Sequence, residues 1–481
     1  MSFNMTTFKY LLLIRTLMGF VSLGSFVPDE TWQSVEVAHN IVFGNGHLTW
    51  EWEEGIRSYF HPCFFASVFY ILKWSGLDHP ELVVILPKIL QGAMSAVGDL
   101  CIVQVFGIVF KDKKKGKMFA IVYATNWFML YASSRTLINT FETALTNLAL
   151  RLYVENQSLY VFVIAESFMA RPTTAIFWLP LVIYDVLWRS SLKKFFTKMI
   201  PSAIMGVLIV VFLDSGLYGS LTLAPWNFLR INLLQNISEQ YGTEPWHWYF
   251  TNFMPALFCG YGLYPFICGL FKNGLNNESN SLAKILALSL VFSLISYSKL
   301  GHKEHRFIMP LIPLMLAFMV SALNSLTKPL KAFCAVNVVL ALYLSLFHQT
   351  GPHSVMRYLY FTSSSVKGVL FLTPCHNMPF YSHMHYNVPM RFLECPPDLT
   401  KNPDHQEEDK VFYRKPGKWL DENDIANYSH IVFYEGLERK ISGHHKLQNF
   451  HLCAKFWHTH FPDERTSPYV LIHCRNDEID R

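Results

Sequence analysis

Long apolar segments constrain this chain more than any other feature of its sequence. They have roughly the 15 to 25 residues that an α-helix needs to cross a bilayer, and they follow one another almost without interruption from Phe8 to His348. The 481-residue chain is 51% hydrophobic and only 16% charged, which excludes a disordered or collagen-like protein. The pattern predicts an α-helical polytopic membrane protein, and therefore a membrane enzyme or a transporter.

The first apolar segment, from Phe8 to Val27, stands where a signal peptide would stand. However, residues 1–7 carry no basic side chain, and no small-x-small cleavage site precedes Pro28-Asp29-Glu30. We therefore expect this segment to be retained as a membrane anchor.

Lysine-rich loops between the apolar segments predict the orientation of the chain. Five lysines lie between Lys111 and Lys117, and basic residues cluster again from Arg189 to Lys198 and from Lys328 to Lys331. Basic loops stay cytosolic, so charge and segment length together predict about eleven spans, a cytosolic N-terminus and a luminal location for everything after His348. The net charge is only +5 and lies in these loops, which does not favour nucleic acid as a partner.

From Gln349 onward, prolines, histidines and acids replace the apolar segments. Strand-like runs at 428–434 and 469–473 predict a small, luminal α+β domain over residues 349–481. Residues 1–348 are then the transmembrane catalytic module, with luminal loops predicted at 28–62, 214–250 and 299–306.

Four cysteines lie in this tail, namely Cys375, Cys395, Cys453 and Cys474. Their even number suits an oxidising compartment and allows three pairings, while four free buried thiols are the alternative. Sequons at Asn236 and Asn427 lie on the same predicted side, although such tripeptides often arise by chance.

The charged residues Asp29 and Glu30 stand where the first apolar segment ends. A membrane protein places charges beside hydrocarbon only with partners or for a purpose. Glycosyl transfer by direct displacement needs a carboxylate that takes the proton of the attacking hydroxyl, and Asp29 is our candidate for that base. The alternative, which local sequence favours, is that Asp29 or Glu30 simply caps the helix predicted from Trp32 to Val42.

The run from His302 to Phe307 places five ionisable residues directly before an apolar segment. Lys303 and Arg306 suit the binding of a lipid phosphate. The alternative is a charge cluster that extends to the headgroups, but basic residues on the luminal side oppose the usual bias.

Other polar side chains emerge on the same predicted face. Arg57 lies in the first loop, and Arg135 and Arg171 at span ends either contact a phosphate or anchor a helix. Trp246 and His247 either stack on sugar rings or belong to an interfacial aromatic belt. Converging acids, arginines and histidines beside hydrocarbon suit a lipid-linked anion that meets a polar acceptor.

Nothing in the spacing predicts a metal or nucleotide site. The closely spaced histidines at 383 and 385, 444 and 445, and 458 and 460 lack the accompanying ligands of a zinc site. A glycine-rich nucleotide loop between strand and helix is missing from the sequence as well.

Several of these stretches resemble the dolichyl-phosphate-mannose-dependent mannosyltransferases, a GT-C glycosyltransferase family. Residues 26–36 with 48–59 are similar to the first luminal loop of that family, and 302–307 resemble its His-Lys-Glu-x-Arg-Phe signature. Residues 135–142 and 171–173 are similar to further family blocks. Within the family, 241–250 and the tail runs 374–383 and 390–398 resemble the branch that adds the third mannose of the GPI anchor.

The resemblance implies a multi-pass enzyme of the endoplasmic reticulum membrane, active in GPI-anchor biosynthesis on the luminal side. It would move mannose from dolichyl phosphate mannose to the 2-hydroxyl of the second mannose of a GPI precursor, with inversion and no cofactor. The likeness places the base on Asp29, with Glu30 orienting or substituting. It places phosphate or acceptor contacts on four residues of the signature, namely His302, Lys303, Glu304 and Arg306.

Other functions remain open at this point. Enzymes for the fourth GPI mannose or for lipid-linked oligosaccharides share the two main motifs. A lipid or sugar transporter would share the spans, but internal repeats and paired broken helices are not found in the sequence. A non-catalytic assembly subunit is a third class, and it would not need Asp29.

Overall fold

The computed structural model describes residues 5–276, 278–400, 402 and 405–475. Residues 1–4, which precede the predicted anchor, lie outside the described residues. Residues 476–481, at the end of the predicted tail domain, lie outside them as well. α-Helices of seven or more residues lie at Met5–Val21, Glu36–Phe43, Phe60–Ser75, Pro80–Phe110, Lys113–Thr125, Ile138–Val154, Tyr160–Ala170, Thr174–Tyr184, Ile200–Tyr218, Leu263–Gly269, Ser281–Lys299, Ile312–Ser321, Lys328–Leu346, Gly351–Phe361, Glu408–Arg414, Pro416–Glu422 and Glu435–Ile441.

Within the described residues, four helical stretches are long and apolar enough to cross a membrane. They are Pro80–Phe110, Leu192–Tyr218, Ser281–Lys299 and Lys328–Phe361, and Tyr160–Ala170 and His305–Ser321 are shorter apolar helices. The predicted helical membrane architecture is confirmed at this level. The count of about eleven spans, which came from segment lengths and loop charges, stays a prediction.

The described chain divides into two compact units. The first comprises 1–20, 51–61 and 88–342, and the second comprises 21–50, 62–87 and 343–481. The sequence-based division at residue 348 stays a prediction.

Close helix packing in the first unit depends on small residues at two points. A Cβ atom on Gly92 would lie 2.6 Å from the carbonyl oxygen of Arg15, and one on Gly98 would lie 2.8 Å from the Cα atom of Ala144. Both glycines belong to Pro80–Phe110, so this helix approaches the backbones of Met5–Val21 and Ile138–Val154. Small residues permit such approach where helices pack in lipid.

A buried ion pair links two of these helices. Arg15 Nε lies 2.6 Å from Asp99 Oδ2, and the side chains are 0% and 3% exposed. The guanidinium group also donates to the carbonyl oxygens of Ala124 and Met129, both at 3.4 Å. Arg15 therefore has partners within the protein, as a charge among apolar helices requires.

The second unit contains a five-stranded mixed sheet. Its strands are β1 (Val369–Leu372), β2 (Met390–Phe392), β3 (His430–Tyr434), β4 (Phe450–Trp457) and β5 (Tyr469–Arg475). Their order is β2-β1-β3-β5-β4, with β1 parallel to β2 and β3, and β5 antiparallel to β3 and β4. Every residue of β1 and β3 is buried, as expected for strands covered on both faces. The strands predicted near 428–434 and 469–473 are confirmed as β3 and β5.

Two disulfides join the four cysteines of the tail. Cys375 pairs with Cys395, and Cys453 on β4 pairs with Cys474 on β5. The structure thus selects one of the three pairings that the sequence allowed, and the four thiols are not free.

Candidate active site

The Pro28-Asp29-Glu30 motif begins a helical segment that continues to Phe43. The backbone N–H groups of Thr31 and Trp32 both donate to the carbonyl oxygen of Pro28 at 3.0 Å. Asp29 is half-buried and Glu30 is buried. Thr31–Val35 has the wider turns of a π-helix, and Glu36–Phe43 continues as α-helix. The helix expected from Trp32 to Val42 is confirmed, with a start three residues earlier.

Glu30 does not act as a side-chain cap for this helix in the part of the chain that the structure describes. Its Oε1 atom instead accepts a hydrogen bond from the backbone N–H of Phe26 at 2.9 Å. The carboxylate thus points back along the entering chain and fixes the turn that holds Asp29. Sequence reasoning considered Glu30 as a cap or a second base, and it did not find this bond.

Glu36 anchors the same segment to the tail of the second unit. Its carboxylate accepts from the backbone N–H groups of Tyr381, Ser382 and His47 at 3.0, 2.9 and 3.2 Å. Burial raises the pKa of Glu36 above its usual range, and the hydrogen bonds from Ser382 and its neighbours oppose this only in part. A fully buried carboxylate with three backbone donors is a structural anchor.

Trp32 makes a second link to the tail. Its indole Nε1–H donates to the carbonyl oxygens of His376 and Met378 at 2.9 and 3.2 Å. The ring also packs at 5.2 Å from Phe380 and 5.0 Å from Phe392, between ring centroids. The opening motif is therefore held rigidly against the tail, which the sequence did not indicate.

In the first unit, Glu304 is the centre of the His302–Arg306 motif. Arg306 binds it through two nitrogens, with Nε at 2.7 Å from Oε2 and Nη2 at 2.8 Å from Oε1, and His302 Nε2 lies 3.3 Å from Oε1. Burial by itself would raise the pKa of Glu304, but the charge of Arg306 and the bonds from His302 outweigh it and hold that pKa well below its usual range. The bond to Glu304 also raises the pKa of His302.

Lys303 occupies a different environment from Arg306. Its Nζ donates to the carbonyl oxygens of Glu244 at 2.7 Å and of Leu300, and to that of Gly301 at 3.5 Å. The residue is only 6% exposed. Lys303 therefore ties the signature to the preceding loop through carbonyl groups, whereas the sequence suggested a direct phosphate contact.

The structure brings Arg171 to the same motif. Arg171 Nη1 lies 2.6 Å from Glu142 Oε2, and Thr174 donates to the other oxygen of Glu142 at 2.7 Å. The guanidinium carbons of Arg171 and Arg306 lie 5.4 and 5.7 Å from the ring centroid of Phe307. Two arginines from separate stretches thus meet at one ring, and each is oriented by its own glutamate.

The helix Ile138–Val154 positions both arginines. It carries Glu142, the partner of Arg171, and Asn139, whose Nδ2 donates to the carbonyl oxygen of Arg306 at 3.0 Å. Glu142 was part of a family block in the sequence, but its role as the partner of Arg171 becomes visible only in the fold.

The other two predicted arginines, Arg57 and Arg135, contact neighbouring side chains. Arg57 Nη2 lies 3.4 Å from Glu51 Oε1, in the first loop. Arg135 is buried, and its guanidinium carbon lies 3.9 Å from the ring centroid of Tyr131. Their contacts suit helix anchoring as well as ligand binding.

The aromatic run at 246–249 contacts the motif through its second half. Trp248 lies 4.6 Å from His305 between ring centroids, and the Tyr249 hydroxyl donates to the carbonyl oxygen of Glu304 at 3.2 Å. Trp246 is 68% exposed, and His247 binds the Thr251 hydroxyl at 3.1 Å. Sequence reasoning chose Trp246 and His247, whereas Trp248 and Tyr249 support the site.

The structure brings Asp421 to the adjacent histidines His444 and His445. Asp421, His444 and His445 place possible ligand atoms within 4.8 Å of one another. His444 Nδ1 accepts from the backbone N–H of Lys446, which puts the ring proton on Nε2, 3.0 Å from Asp421 Oδ1. That tautomer satisfies a turn and a carboxylate, and it leaves the Nε2 atom protonated and not available to a metal.

The fold is similar, over nearly the whole chain, to that of ArnT in two crystal structures. ArnT from Cupriavidus metallidurans, in its crystal structure bound to undecaprenyl phosphate, superposes with a TM-score of 0.62 over 97% of each chain at 8% sequence identity. The apo structure of the same protein gives a TM-score of 0.57 at 9% identity, with 98% of each chain covered. The fold is therefore that of the GT-C class.

The sequence specifies the family within this class. Residues 6–385 match the model of the Alg9-like mannosyltransferase family, and the chain belongs to that family. The GPI alpha-1,2-mannosyltransferase 3 of Bos taurus is 36% identical over 98% of this chain and 89% of its own. That of Homo sapiens is 34% identical over 98% and 87%, and the GPI mannosyltransferase 3 of Drosophila melanogaster is 35% identical over 94% and 83%. The family resemblance drawn from the motifs is confirmed, and the chain is a membrane-embedded mannosyltransferase.

Proposed function

We propose that this enzyme adds the third mannose of the GPI anchor, in α-1,2 linkage, to the second mannose of a GPI precursor. The observation that carries the proposal is the likeness to relatives with that name over nearly the full length of both chains. The donor is dolichyl phosphate mannose, and no further cofactor takes part. The enzyme acts at the endoplasmic reticulum membrane.

Asp29 is the general base of the proposed reaction. The 2-hydroxyl oxygen of the acceptor attacks C1 of the donor mannose while its proton passes to the Asp29 carboxylate. The bond between C1 and the phosphate oxygen breaks, dolichyl phosphate leaves with the electron pair, and the anomeric centre inverts. Glu30 supports this base by holding the turn through the Phe26 N–H.

Arg171 and Arg306 are the proposed phosphate ligands. Each guanidinium group is oriented by a carboxylate, Glu142 or Glu304, and both lie near Phe307. Oriented cations that meet the charge developing on a leaving phosphate lower the barrier without reorganisation. His302 and Lys303 complete the motif, and Lys303 acts through its carbonyl contacts. Arg57, Arg135, Trp246 and His247 are secondary candidates for substrate contact.

The proposed topology places the tail, residues 349–481, and the base-bearing loop in the lumen. About eleven spans with cytosolic lysine loops satisfy the bias of basic residues toward the cytosol. A lipid-linked donor suits this arrangement, because it presents its sugar at the membrane surface.

Two measurements test the proposal. In cells that lack this gene, we expect a GPI precursor with two mannoses to accumulate, and the purified protein should transfer radiolabelled mannose from dolichyl phosphate mannose to that lipid. Accumulation of a three-mannose precursor would instead indicate the fourth-mannose step, and accumulation of a truncated lipid-linked oligosaccharide would indicate the oligosaccharide pathway. Movement of lipid across the bilayer without transfer would indicate a transporter.

A further inference from the structure

A cavity of about 130 Å³ lies beside the opening motif, entirely within the second unit. One water molecule needs on the order of 10 to 15 Å³ by the same measure, so the cavity has room for a six-membered sugar ring. One wall is the segment from Ser25 to Trp32, and the other contains Gln349, His376 and Asn377 of the tail. Pro28 and Glu30 both line it, so the cavity adjoins the segment that carries Asp29.

The chemistry of the wall suits a neutral polyol. Trp32 is only 2% exposed, and its bonds to the carbonyl oxygens of His376 and Met378 fix it as part of the wall. The side chains of Gln349, His376 and Asn377 can donate to or accept from hydroxyl groups. Phe26, Val27 and Pro28 supply apolar surface beside these groups, and apolar walls with a few fixed polar groups are the usual composition of a small-ligand site. Among the described residues that line the cavity there is no lysine or arginine, which argues against a phosphate as its ligand.

The backbone conformation of Gln349 and His376 is independent evidence that this wall has a function. Gln349 has a φ of 55° and His376 a φ of 56°, and both line the cavity. This left-handed conformation is unfavourable in free energy for residues with a Cβ atom, but not for glycine. Strained residues concentrate at ligand sites, where the surrounding structure holds them. Gln349 lacks the short polar side chain of asparagine and aspartate, which adopt this conformation more readily.

We propose that this cavity binds the terminal mannose ring of the acceptor, with Gln349, His376 and Asn377 at its hydroxyls. This inference rests on the proposed function, because it assumes a mannose acceptor. The donor carries the same sugar, but its mannose is attached to a phosphate, for which the described lining residues include no lysine or arginine. The tail domain therefore takes part in acceptor selection.

The sharpest test is Gln349→Gly. Glycine removes the side-chain amide and also relieves the backbone at φ 55°, so the variant keeps its fold. With the purified full-length protein, dolichyl phosphate mannose as donor and a synthetic lipid bearing an α-linked mannose disaccharide as acceptor, we expect the acceptor KM to rise about tenfold. The donor KM and kcat should stay within about twofold of wild type.

Lys111→Gly is the matched control, because Lys111 is an exposed residue with a φ of 53° in the other unit. It should leave both KM values unchanged. For Asn377, which accepts a hydrogen bond from the Tyr434 hydroxyl at 2.5 Å, the pair Asn377→Ala and Tyr434→Phe separates the cavity from that bond. Only Asn377→Ala should raise the acceptor KM.

Methyl α-mannoside gives a measurement on the wild-type protein itself. We expect it to inhibit competitively against the acceptor and not against the donor, and to inhibit Gln349→Gly less strongly. An unchanged acceptor KM in Gln349→Gly, a raised donor KM, or inhibition competitive with the donor would overturn the proposal. If the wild-type protein transfers no mannose to any acceptor, the proposed function itself has failed.

Discussion

Lys303 and Arg306 lie three residues apart with the same formal charge, and their surroundings give them different tasks. Lys303 directs its ammonium group to carbonyl oxygens, whereas Arg306 forms a two-nitrogen bond with Glu304. A planar guanidinium held in this way keeps one edge fixed and can present the others to a ligand. At the residue scale, contacts separate the residue that supports the motif from the one that suits a phosphate.

We expect Asp29→Asn to reduce mannose transfer by roughly 10²- to 10⁴-fold, the usual contribution of a positioned base. Asparagine has almost the same shape but cannot take the proton. The measurement is transfer of radiolabelled mannose in membranes, normalised to the amount of folded protein. Asp29→Glu is the control, because it keeps a carboxylate and should retain part of the activity. Full activity of Asp29→Asn would remove the base assignment.

Lys303→Met should affect mainly the stability of the protein, and Arg306→Lys mainly its affinity for the donor. Lys303→Met leaves buried carbonyl groups without a donor, so the melting temperature in detergent should fall by several degrees while the donor KM of the folded enzyme is kept. Arg306→Lys keeps the charge but loses the planar fork, and we expect the donor KM to rise about tenfold with little change in melting temperature. Equal effects of the two substitutions on donor KM would contradict this division.

The pair His302 and Glu304 predicts a pH dependence. The hydrogen bond to Glu304 raises the pKa of His302 above 6.5. The stability that the charged His302 contributes to the fold is therefore complete below pH 6.5 and is lost as the pH rises through the raised pKa. Glu304 stays ionised throughout, because its own pKa is well below the usual range. The melting temperature of the wild-type protein should therefore fall with rising pH in the neutral range. Glu304→Gln should flatten this slope, and an unaltered slope in that variant would refute the assignment.

At the scale of elements, Ile138–Val154 and Pro80–Phe110 organise the first unit. One helix carries Asn139 and Glu142 to the two arginines, and the other uses Gly92 and Gly98 for close packing. Of these two helices, Pro80–Phe110 was predictable from its length and apolar composition, because such a segment has few alternatives in a membrane. Their partners were not predictable, since helical periodicity does not say which helix faces which.

Disrupting the Arg15 and Asp99 pair should show how strongly these helices depend on it. Asp99→Leu leaves Arg15 buried without its counterion, which costs about 3 to 5 kcal/mol where such pairs have been broken. The double variant Arg15→Met and Asp99→Leu removes both charges and should recover most of that loss. Thermal unfolding in detergent compares the three proteins. A double variant that is no more stable than Asp99→Leu would show that the pair does more than neutralise charge.

At the scale of the whole molecule, the chain combines a helical membrane unit with a unit built on a mixed sheet. The second unit includes residues 21–50, so the Asp29 motif is grouped with a tail more than 300 residues away in sequence. Hydrogen bonds of Trp32 and Glu36 join the motif to this tail. No periodicity or charge pattern in the loop predicts these hydrogen bonds.

The predicted topology can be tested with inserted glycosylation tags. A tag placed between Lys111 and Asp112, just before the helix Lys113–Thr125, should remain unmodified, because the five lysines from 111 to 117 predict a cytosolic location. A tag added to the C-terminus should be modified, because the tail is predicted to be luminal. The readout is the mobility shift that endoglycosidase H removes. Modification of the first tag, or absence of modification of the second, would invert or break the proposed orientation.

The sequence by itself determined the helical membrane architecture, the β3 and β5 strands, the family and the candidate residues, because hydrophobic length, alternation and motif order are local properties. Only the tertiary structure decided that Arg171 and Arg306 meet at Phe307, that Lys303 binds carbonyl groups, and that the opening motif is grouped with the tail. These outcomes depend on which buried polar groups find partners across long sequence separations. These pairings are a property of the folded chain, because a polar group can be buried at low cost in free energy only where the fold supplies a hydrogen-bond partner.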